Sequence, residues 1–213
     1  MNHRSLLMVF LAAVVLVITT AFTSSCFDIK YANDPTADTP GYRLFTGKSE
    51  DLRFSFEYPD EWRRVTKGVI LSTRISRWIL IYPDGYSVVR VGSQVTSADG
   101  GDFADAGELI EHILDIASTQ HIMDPDFQIL NRDKAPLGQV EGEEVIYSFQ
   151  HWTTDQLDYA APLILLQKPV VARDLVADYG GRIYDVSLLV RADRYESVRE
   201  GFEHLIATFR FLE

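Results

Sequence analysis

The sequence predicts an α+β fold in which two amphipathic helices pack on an antiparallel sheet. Three observations lead to this prediction. Several segments alternate apolar and polar residues with the two-residue period of a strand. Short turn signals such as Pro83-Asp84-Gly85 and Gly180-Gly181 join neighbouring strand segments into hairpins. Two other segments, which begin near residues 105 and 193, have apolar residues at helical spacing.

The stretch from Phe54 to Trp62 marks the start of the folded domain. Its aromatic residues at positions 54, 56 and 58 alternate with polar ones, as in a strand with one apolar face. Pro59 then ends the strand, because it has no N–H to give to a neighbouring strand. Trp62 follows as a large apolar anchor against the sheet.

Further strands are expected along the rest of the chain. Residues 77–82 contain a continuous apolar run at 78–82, which is typical of a strand in the middle of a sheet, and residues 86–95 return as its hairpin partner. The other candidates span residues 127–130, 144–152, 163–167, 170–179 and 182–190. Between the last two, both glycines can adopt the positive φ angles that a two-residue hairpin turn requires.

Capping residues predict where the two helices begin. Asp105 and Glu108 have the spacing of a capping box for a helix that runs to about Gln120. Asp193 and Glu196 repeat this spacing at the start of the last helix. Both helices have one broad apolar face, so each is expected to lie on the sheet.

Composition and charge limit the class of protein. The chain has 213 residues, 46% of them apolar, which is enough for one domain with a sizeable core. Its formal net charge is -11, and so acidic a surface repels phosphate backbones. Nucleic acid is therefore not expected as a partner, whereas cations or a basic protein face are compatible with this charge.

The N-terminal segment indicates export or membrane anchoring. Residues 6–22 carry no charge and follow a single cation, Arg4. The run is longer than most signal-peptide cores and shorter than most transmembrane helices, so its length leaves both interpretations open. The sole cysteine, Cys26, directly follows Ser24 and Ser25, and this pattern resembles a bacterial lipobox, although Thr23 departs from it.

The lipobox resemblance implies that Cys26 receives a diacylglycerol and becomes the first residue after cleavage. The protein would then be a lipoprotein on the extracytoplasmic face of the cell membrane. An uncleaved N-terminal transmembrane anchor, simple secretion and a buried thiol are the alternatives. The chain is thus divided into a signal or anchor segment at residues 1–25, a turn-rich flexible tether at 26–48 and an α+β domain at 49–213.

Three stretches resemble the PsbP-like family. They are the Phe-x-Phe-x-Tyr-Pro-x-x-Trp of residues 54–62, the turn at 138–144 before a long strand, and the closing Ala-Thr-Phe-Arg-Phe of 207–211. The resemblance covers about residues 50–213 and implies an α/β/α sandwich with a twisted antiparallel sheet. It also implies an extrinsic or lipid-tethered subunit rather than an enzyme. The best-known members dock on photosystem II and help retain calcium and chloride, and proteins of similar fold include a Ran-binding import factor and envelope lipoproteins.

The sequence shows no catalytic signature. It has no nucleophile elbow, no zinc-protease helix, no phosphate loop and no cysteine pair. No resident cofactor is expected. Asp99, Asp102 and Asp105 offer oxygen ligands that calcium accepts, but their spacing favours a helix-capping loop. Glu111 and His112 are expected on the solvated face of the first helix, and His204 on the solvated face of the second.

One polar and aromatic cluster is the candidate partner surface. It consists of His151, Trp152, Asp155 and Asp158, which come at and after the end of a long predicted strand. Aromatic residues near loops often mark partner contacts. Packing of Trp152 in the core is the competing interpretation.

These observations predict a membrane-tethered, extracytoplasmic domain without catalytic activity. We expect a binding or accessory subunit of an envelope or membrane protein complex, because tethering raises its local concentration toward a membrane partner. A calcium- or small-ligand-binding lipoprotein is the alternative, followed by a hydrolase without a recognisable motif.

Overall fold

The computed structural model describes residues 30–47, 49, 52–67, 76–85, 87–119, 126–154 and 165–212. Its strands are, in chain order, β1 (Lys30–Tyr31), β2 (Tyr42–Thr46), β3 (Phe54–Pro59), β4 (Arg63–Lys67), β5 (Ser76–Asp84), β6 (Ser87–Val95), β7 (Gln128–Leu137), β8 (Val140–Thr154), β9 (Leu165–Tyr179), β10 (Arg182–Arg191) and β11 (Arg210–Phe211). Its α-helices are α1 (Ala106–Thr119) and α2 (Tyr195–Thr208).

The described strands form two sheets. The main sheet has the order β1-β4-β5-β6-β10-β9-β8-β7, and its neighbouring strands are antiparallel. The small sheet has the order β11-β3-β2. Helix α1 packs on one face of the main sheet, over β8 and β9, while the small sheet and α2 cover the other face. This architecture confirms the predicted α+β class.

The aromatic residues of β3 are at the centre of the core between the two sheets. Phe54 and Phe56 are fully buried, and the ring of Phe54 stacks on Phe209 with 5.2 Å between centroids. The backbone N–H of Trp62 donates to the Pro59 carbonyl at 3.0 Å, and the indole ring is buried. The predicted role of this stretch as the first strand of the core is therefore confirmed in part: β2 precedes it in the small sheet.

Helix α1 begins where the capping residues predict. The Glu108 N–H donates to Asp105 Oδ1 at 2.9 Å, and the Ala104 N–H donates to Glu108 Oε2 at 2.6 Å. The Ala106 N–H also donates to the carboxylate of Asp178 on β9, at 3.1 Å. These bonds satisfy N–H groups that the first helical turn leaves without partners.

The second predicted capping box is wrong. Helix α2 begins at Tyr195, directly after a 3-10 turn at Ala192–Arg194, and no side chain caps it. The Asp193 carboxylate instead accepts hydrogen bonds from Arg191, at 2.6 and 3.1 Å. A neighbouring guanidinium thus competes successfully for the side chain that the spacing assigned to the helix.

Residues 30–47 differ from the predicted tether, because they belong to the folded domain. Strand β1 pairs with β4, and β2 pairs with β3. Between them, the Asp34 carboxylate accepts hydrogen bonds from Arg64 Nε at 2.5 Å, Arg64 Nη2 at 2.6 Å and the Tyr58 hydroxyl at 2.8 Å. Phe45 on β2 is buried in the core.

The signal or anchor segment, Cys26 and the first residues after it lie outside the described residues. The division of the chain into three parts otherwise stays a prediction. Among the described helices, neither combines the length and the apolar content that a membrane span needs.

Strands β8 and β9 extend beyond their neighbours. The last residue of β10 is opposite Val170, and the first residue of β7 is opposite Ser148. Beyond these points, residues 150–154 of β8 pair with residues 165–169 of β9. In the described part of the chain, this segment is therefore a two-stranded ribbon, named the β8–β9 ribbon.

Candidate functional site

Both faces of β10 are buried. Tyr184, Val186 and Leu188 face the core below the small sheet, as their alternation predicts. Asp185 and Ser187, on the opposite face, are also buried, with relative exposures of 1% and 7%. The reason is the position of β10 in the middle of the main sheet, on the face that carries α1.

Strand register brings two more polar side chains to Ser187. Asp174 on β9 is directly opposite Ser187 on one side, and Arg90 on β6 is opposite it on the other. Asp185 is two residues along β10, so it points to the same face. Tyr147 on β8 completes the group, which is named the Arg90 cluster.

Arg90 is held by the buried side chains around it. Its Nη2 is 3.2 Å from Asp185 Oδ2 and 4.0 Å from Asp174 Oδ1, and its Nε donates to Ser187 Oγ at 3.1 Å. The Tyr147 hydroxyl donates to the Asp174 carboxylate. Among the described residues, Asp185 Oδ1 is buried and has no hydrogen-bond partner.

Burial makes the two carboxylates of this cluster hard to ionise. It raises the pKa of Asp185 to about 7, against the attraction of Arg90 and with the help of the nearby Asp174. Burial likewise raises the pKa of Asp174, and Arg90 opposes the rise. One guanidinium can neutralise one carboxylate. Arg90, Asp174 and Asp185 together therefore have no net charge when the two carboxyl groups share one proton.

Arg90 is the residue of the cluster whose side chain reaches the surface. The Arg90 side chain is 44% exposed, whereas those of Asp185 and Asp174 are 2% and 4% exposed. Its Cζ lies 4.4 Å from the ring centroid of Trp78, which is partly buried on β5. The protein therefore presents a charged group and an indole side by side, fixed from behind by hydrogen bonds.

The structure places only part of the predicted partner surface. His151 and Trp152 lie on the β8–β9 ribbon, opposite Lys168 and Gln167. Their side chains are outside the described residues, and so are Asp155 and Asp158 entirely. The proposed surface stays a prediction, but its first two residues come from a strand that projects from the sheet.

Two of the acidic residues near α1, Asp105 and Glu111, have partners for their side chains. Asp105 caps the helix, and Asp99 ends the 3-10 turn at Ser97–Asp99. Glu111 forms an ion pair with Arg132 on β7, at 2.7 Å. In the described ranges, no group of three or more His, Cys, Asp or Glu side chains is arranged to hold a metal ion.

The expectation that His204 is exposed on α2 is wrong. Its Nε2 is 2.9 Å from Glu57 Oε2 on β3, and its ring lies 3.8 Å from the ring of Tyr42. The helix rests on the small sheet here, so the edge of its apolar face is also covered. Hydrogen bonds from Thr39 and His204 lower the pKa of Glu57, although burial opposes them.

Sequence reasoning did not identify the Arg90 cluster. Asp185 and Ser187 alternate with apolar residues, and this pattern is typical of a strand with a solvated face. The long apolar strands β6 and β9, which flank β10, are the signal that could have predicted a central position for β10 and burial of both its faces. The same alternation of polar and apolar residues made Asp174 on β9 look solvent-exposed.

Comparisons with known proteins find similarity of fold at low identity. The solution structure of CyanoP, the cyanobacterial PsbP of Synechocystis sp. PCC 6803, has 15% identity and a TM-score of 0.45 and covers 84% of this chain and 98% of that one. LpqN of Mycobacterium tuberculosis, involved in cell envelope biogenesis, has 14% identity, a TM-score of 0.41 and coverages of 87% and 92%. The Saccharomyces cerevisiae Ran-binding protein Mog1p has 9% identity, a TM-score of 0.42 and coverages of 81% and 96%.

No protein-family profile and no curated protein sequence matches this chain. The similarities to solved structures therefore concern the fold alone. They carry no conclusion about activity, partners or location.

Proposed function

We propose that this protein is a non-catalytic accessory subunit, anchored by Cys26 to the extracytoplasmic face of the cell membrane, that binds a membrane protein complex. The short connection between anchor and domain supports this proposal. Lys30, the first residue of β1, is the fourth residue after Cys26. A domain held this close to lipid meets membrane partners at a high effective concentration.

The observation that carries the binding role is the exposed end of the Arg90 cluster. A buried ion pair is weak evidence for added stability, and in some proteins such a network has another role. Arg and Trp are enriched among residues that dominate binding energy. Because Asp185 and Ser187 already fix the guanidinium of Arg90, binding would cost little side-chain ordering there.

The partner contact can be tested by photo-crosslinking in the native membrane. Leu80 on β5 lies opposite Arg90 and is partly buried beside it, so a photoreactive amino acid at position 80 samples this surface. We expect one defined protein adduct. The matched control is the same amino acid at position 199, which is exposed on α2.

A binding measurement with the purified partner shows whether the crosslinked protein binds specifically through Arg90. The purified partner should bind the wild-type protein, and R90M should weaken binding at least about tenfold, a loss of about 1.4 kcal/mol. R90K is the milder change, since lysine keeps the charge but not the planar fork. Equal adducts from positions 80 and 199, or unchanged affinity in R90M, would reject the contact.

The anchor has a separate test. The intact mass of the membrane-extracted protein should correspond to a chain that begins at a diacylated Cys26, and C26A should lose this mass. A retained Met1 in the wild type would instead indicate an uncleaved N-terminal anchor.

A further inference from the structure

We propose that a cleft between helix α2 and the β3–β4 corner binds an arginine side chain of a protein partner. The cleft, named the α2 cleft, has a volume of about 220 Å³. The residues of its wall that carry the argument are Tyr42, Glu61, Trp62, Glu200 and Gly201. The inference depends neither on the anchor nor on the contact proposed for the Arg90 cluster.

Three elements meet at the α2 cleft. Helix α2 contributes Glu200 and Gly201, the β3–β4 corner contributes Glu61 and Trp62, and the start of β2 contributes Tyr42. The helix can approach the corner closely because residue 201 has no side chain: a Cβ there would lie 2.6 Å from Trp62 Cζ2. Side chains that are far apart in the sequence therefore line one cleft.

Trp62 supplies a hydrogen-bond donor to the α2 cleft. The residue is 6% exposed, and the edge of its indole ring at Cζ2 and Cη2 lies against Gly201. Among the described residues, none accepts a hydrogen bond from the indole N–H. This N–H is also not one of the unpartnered polar atoms that are sealed from solvent, so it opens on the cleft. It can therefore donate to a carbonyl oxygen of a bound chain.

The α2 cleft is acidic. Glu61 and Glu200 are exposed and line it from different elements. Burial raises the pKa of the Tyr42 hydroxyl, and the carboxylates of Glu200, Glu61 and Glu57 raise it further. Glu57 is paired with His204 at 2.9 Å. The carboxylates of Glu61 and Glu200 are therefore the two that a bound cation would meet.

Cations of the surrounding elements are engaged elsewhere. Arg199 on α2 forms an ion pair with Glu196 at 3.1 Å. The guanidinium carbon of Arg63 on β4 lies 5.4 Å from the ring centroid of Tyr31. Arg43 Nη1 donates to two oxygens in the segment before β2, each at 3.0 Å. A cation from outside the protein therefore has access to both carboxylates of the cleft.

An arginine side chain suits these groups better than a bare cation does. Its planar guanidinium has five N–H donors, enough for two carboxylates, and it stacks on aromatic rings such as those of Tyr42 and Trp62. The backbone carbonyl of the same chain can accept from the Trp62 indole, which a metal ion cannot do. Small-molecule sites usually have about 300–1,000 Å³, so a cleft of about 220 Å³ fits one side chain.

NMR spectroscopy of the full-length protein in detergent micelles tests the proposal. The chain has three tryptophans, so isotope labelling of the indole nitrogens gives three N–H signals, and W78F and W152F identify that of Trp62 by elimination. The probe is the peptide acetyl-Gly-Arg-Gly-amide. Its matched control has citrulline in place of arginine, with the same shape and no charge. We expect the Trp62 signal to shift in a saturable manner, with at least about tenfold weaker binding of the citrulline peptide.

Neutral variants of the two carboxylates provide a second comparison. E61Q and E200Q together should weaken binding of the arginine peptide at least about tenfold. D133N, which removes an exposed carboxylate of β7 outside the cleft, should leave the affinity unchanged. Circular dichroism checks the fold of all variants. Salt at about 1 M should weaken binding to the wild type, because the Debye length is then about 3 Å.

Four results would reject the proposal, each for a different reason. A Trp62 signal that does not move shows that the cleft does not bind the probe, and equal affinity for the two peptides shows that charge is not recognised. Tighter binding of free arginine than of the peptide would indicate a small-molecule site. Displacement of the peptide by calcium chloride at constant ionic strength would indicate a metal site.

Discussion

Asp185 shows at the scale of one residue how a polar group can be kept in a core. Its Oδ2 is paired with Arg90, but its Oδ1 has no partner among the described residues. A buried oxygen without a hydrogen bond costs about 1–3 kcal/mol. Asp185 therefore pairs with Arg90 at a cost to the stability of the fold.

The raised pKa of Asp185 predicts how stability depends on pH. Between its ordinary carboxyl pKa and about 7, the folded state binds more protons than the unfolded state. The free energy of unfolding should thus fall as pH rises through this window, by about 1.4 kcal/mol per pH unit for one whole proton. D185N should flatten this slope, since asparagine does not titrate and still accepts a bond from Arg90.

Urea unfolding at intervals from pH 5 to pH 8 measures the slope, where about 1 kcal/mol is readily resolved. D133N is the control, because Asp133 is an exposed carboxylate on the edge strand β7. An unchanged slope in D185N would show that Asp185 titrates at its ordinary pKa.

Gly201 affects the packing of helix α2 in a way that the sequence alone does not show. A Cβ at this position of α2 would lie 2.6 Å from Trp62 Cζ2 and 2.8 Å from Pro59 Cγ. The helix can therefore approach the β3–β4 corner only because residue 201 has no side chain.

G201A should destabilise the protein, although alanine is the better helix former by about 1 kcal/mol. Overpacking costs about 1–3 kcal/mol and exceeds this gain. The control is G107A in α1, where a Cβ meets only Asp105 Oδ1, at 3.3 Å. Thermal unfolding should show a lower midpoint for G201A and little change for G107A, and similar midpoints would contradict the close approach.

At the scale of elements, the segment at residues 30–47 is held by side chains as much as by strand pairing. Asp34 bonds to Arg64 and to the Tyr58 hydroxyl, and burial raises the pKa of Tyr58 with the help of Asp34. The side chains of Asp34 and Arg64 are 14% and 15% exposed, so their ion pair is well shielded from solvent.

D34A should lower the free energy of unfolding by about 2 kcal/mol, since it leaves a shielded guanidinium and a tyrosine hydroxyl without their acceptor. Hydrogen exchange should speed up in β2 at the same time, because its backbone is fixed next to this bond. D38A is the control, as Asp38 is exposed in the same segment. Equal stability of the two variants would contradict the structural role of Asp34.

Strand β9 is one long strand, although the sequence predicted two strands at residues 163–167 and 170–179. Pro169 interrupts the strand pattern, and proline is usually excluded from central strands. The structure places Pro169 on the β8–β9 ribbon, one residue beyond the end of β10. Among the described strands it has a neighbour on one side only, where a missing N–H is tolerated.

For the whole molecule, local sequence patterns predicted the strands, helices and turns well, but they predicted burial and strand pairing less well. The alternation in β3, the cap at Asp105 and the glycine turn at 180–181 depend on short-range chemistry, and all three are present. The burial of Asp185 depends on strand order, which residues far apart in the sequence decide. The same holds for residues 30–47, whose turn-rich composition gave no sign that β4 and β3 would pair with them.

Truncation tests where the folded unit begins. A chain that starts at residue 27 should fold, whereas one that starts at residue 49, the boundary predicted from the sequence, lacks β1, β2 and Phe45. Loss of one buried phenylalanine costs about 3–5 kcal/mol, so the shorter chain should be at least this much less stable or should aggregate. Equal unfolding midpoints for the two chains would restore the tether interpretation.

The order of the main sheet has a consequence for reach. Six inter-strand steps separate β1 from β8, which amounts to about 29 Å at the usual spacing of about 4.8 Å. A partner that contacted both strand β1 and the β8–β9 ribbon would therefore have to span about 3 nm across the sheet, on the order of the same six steps.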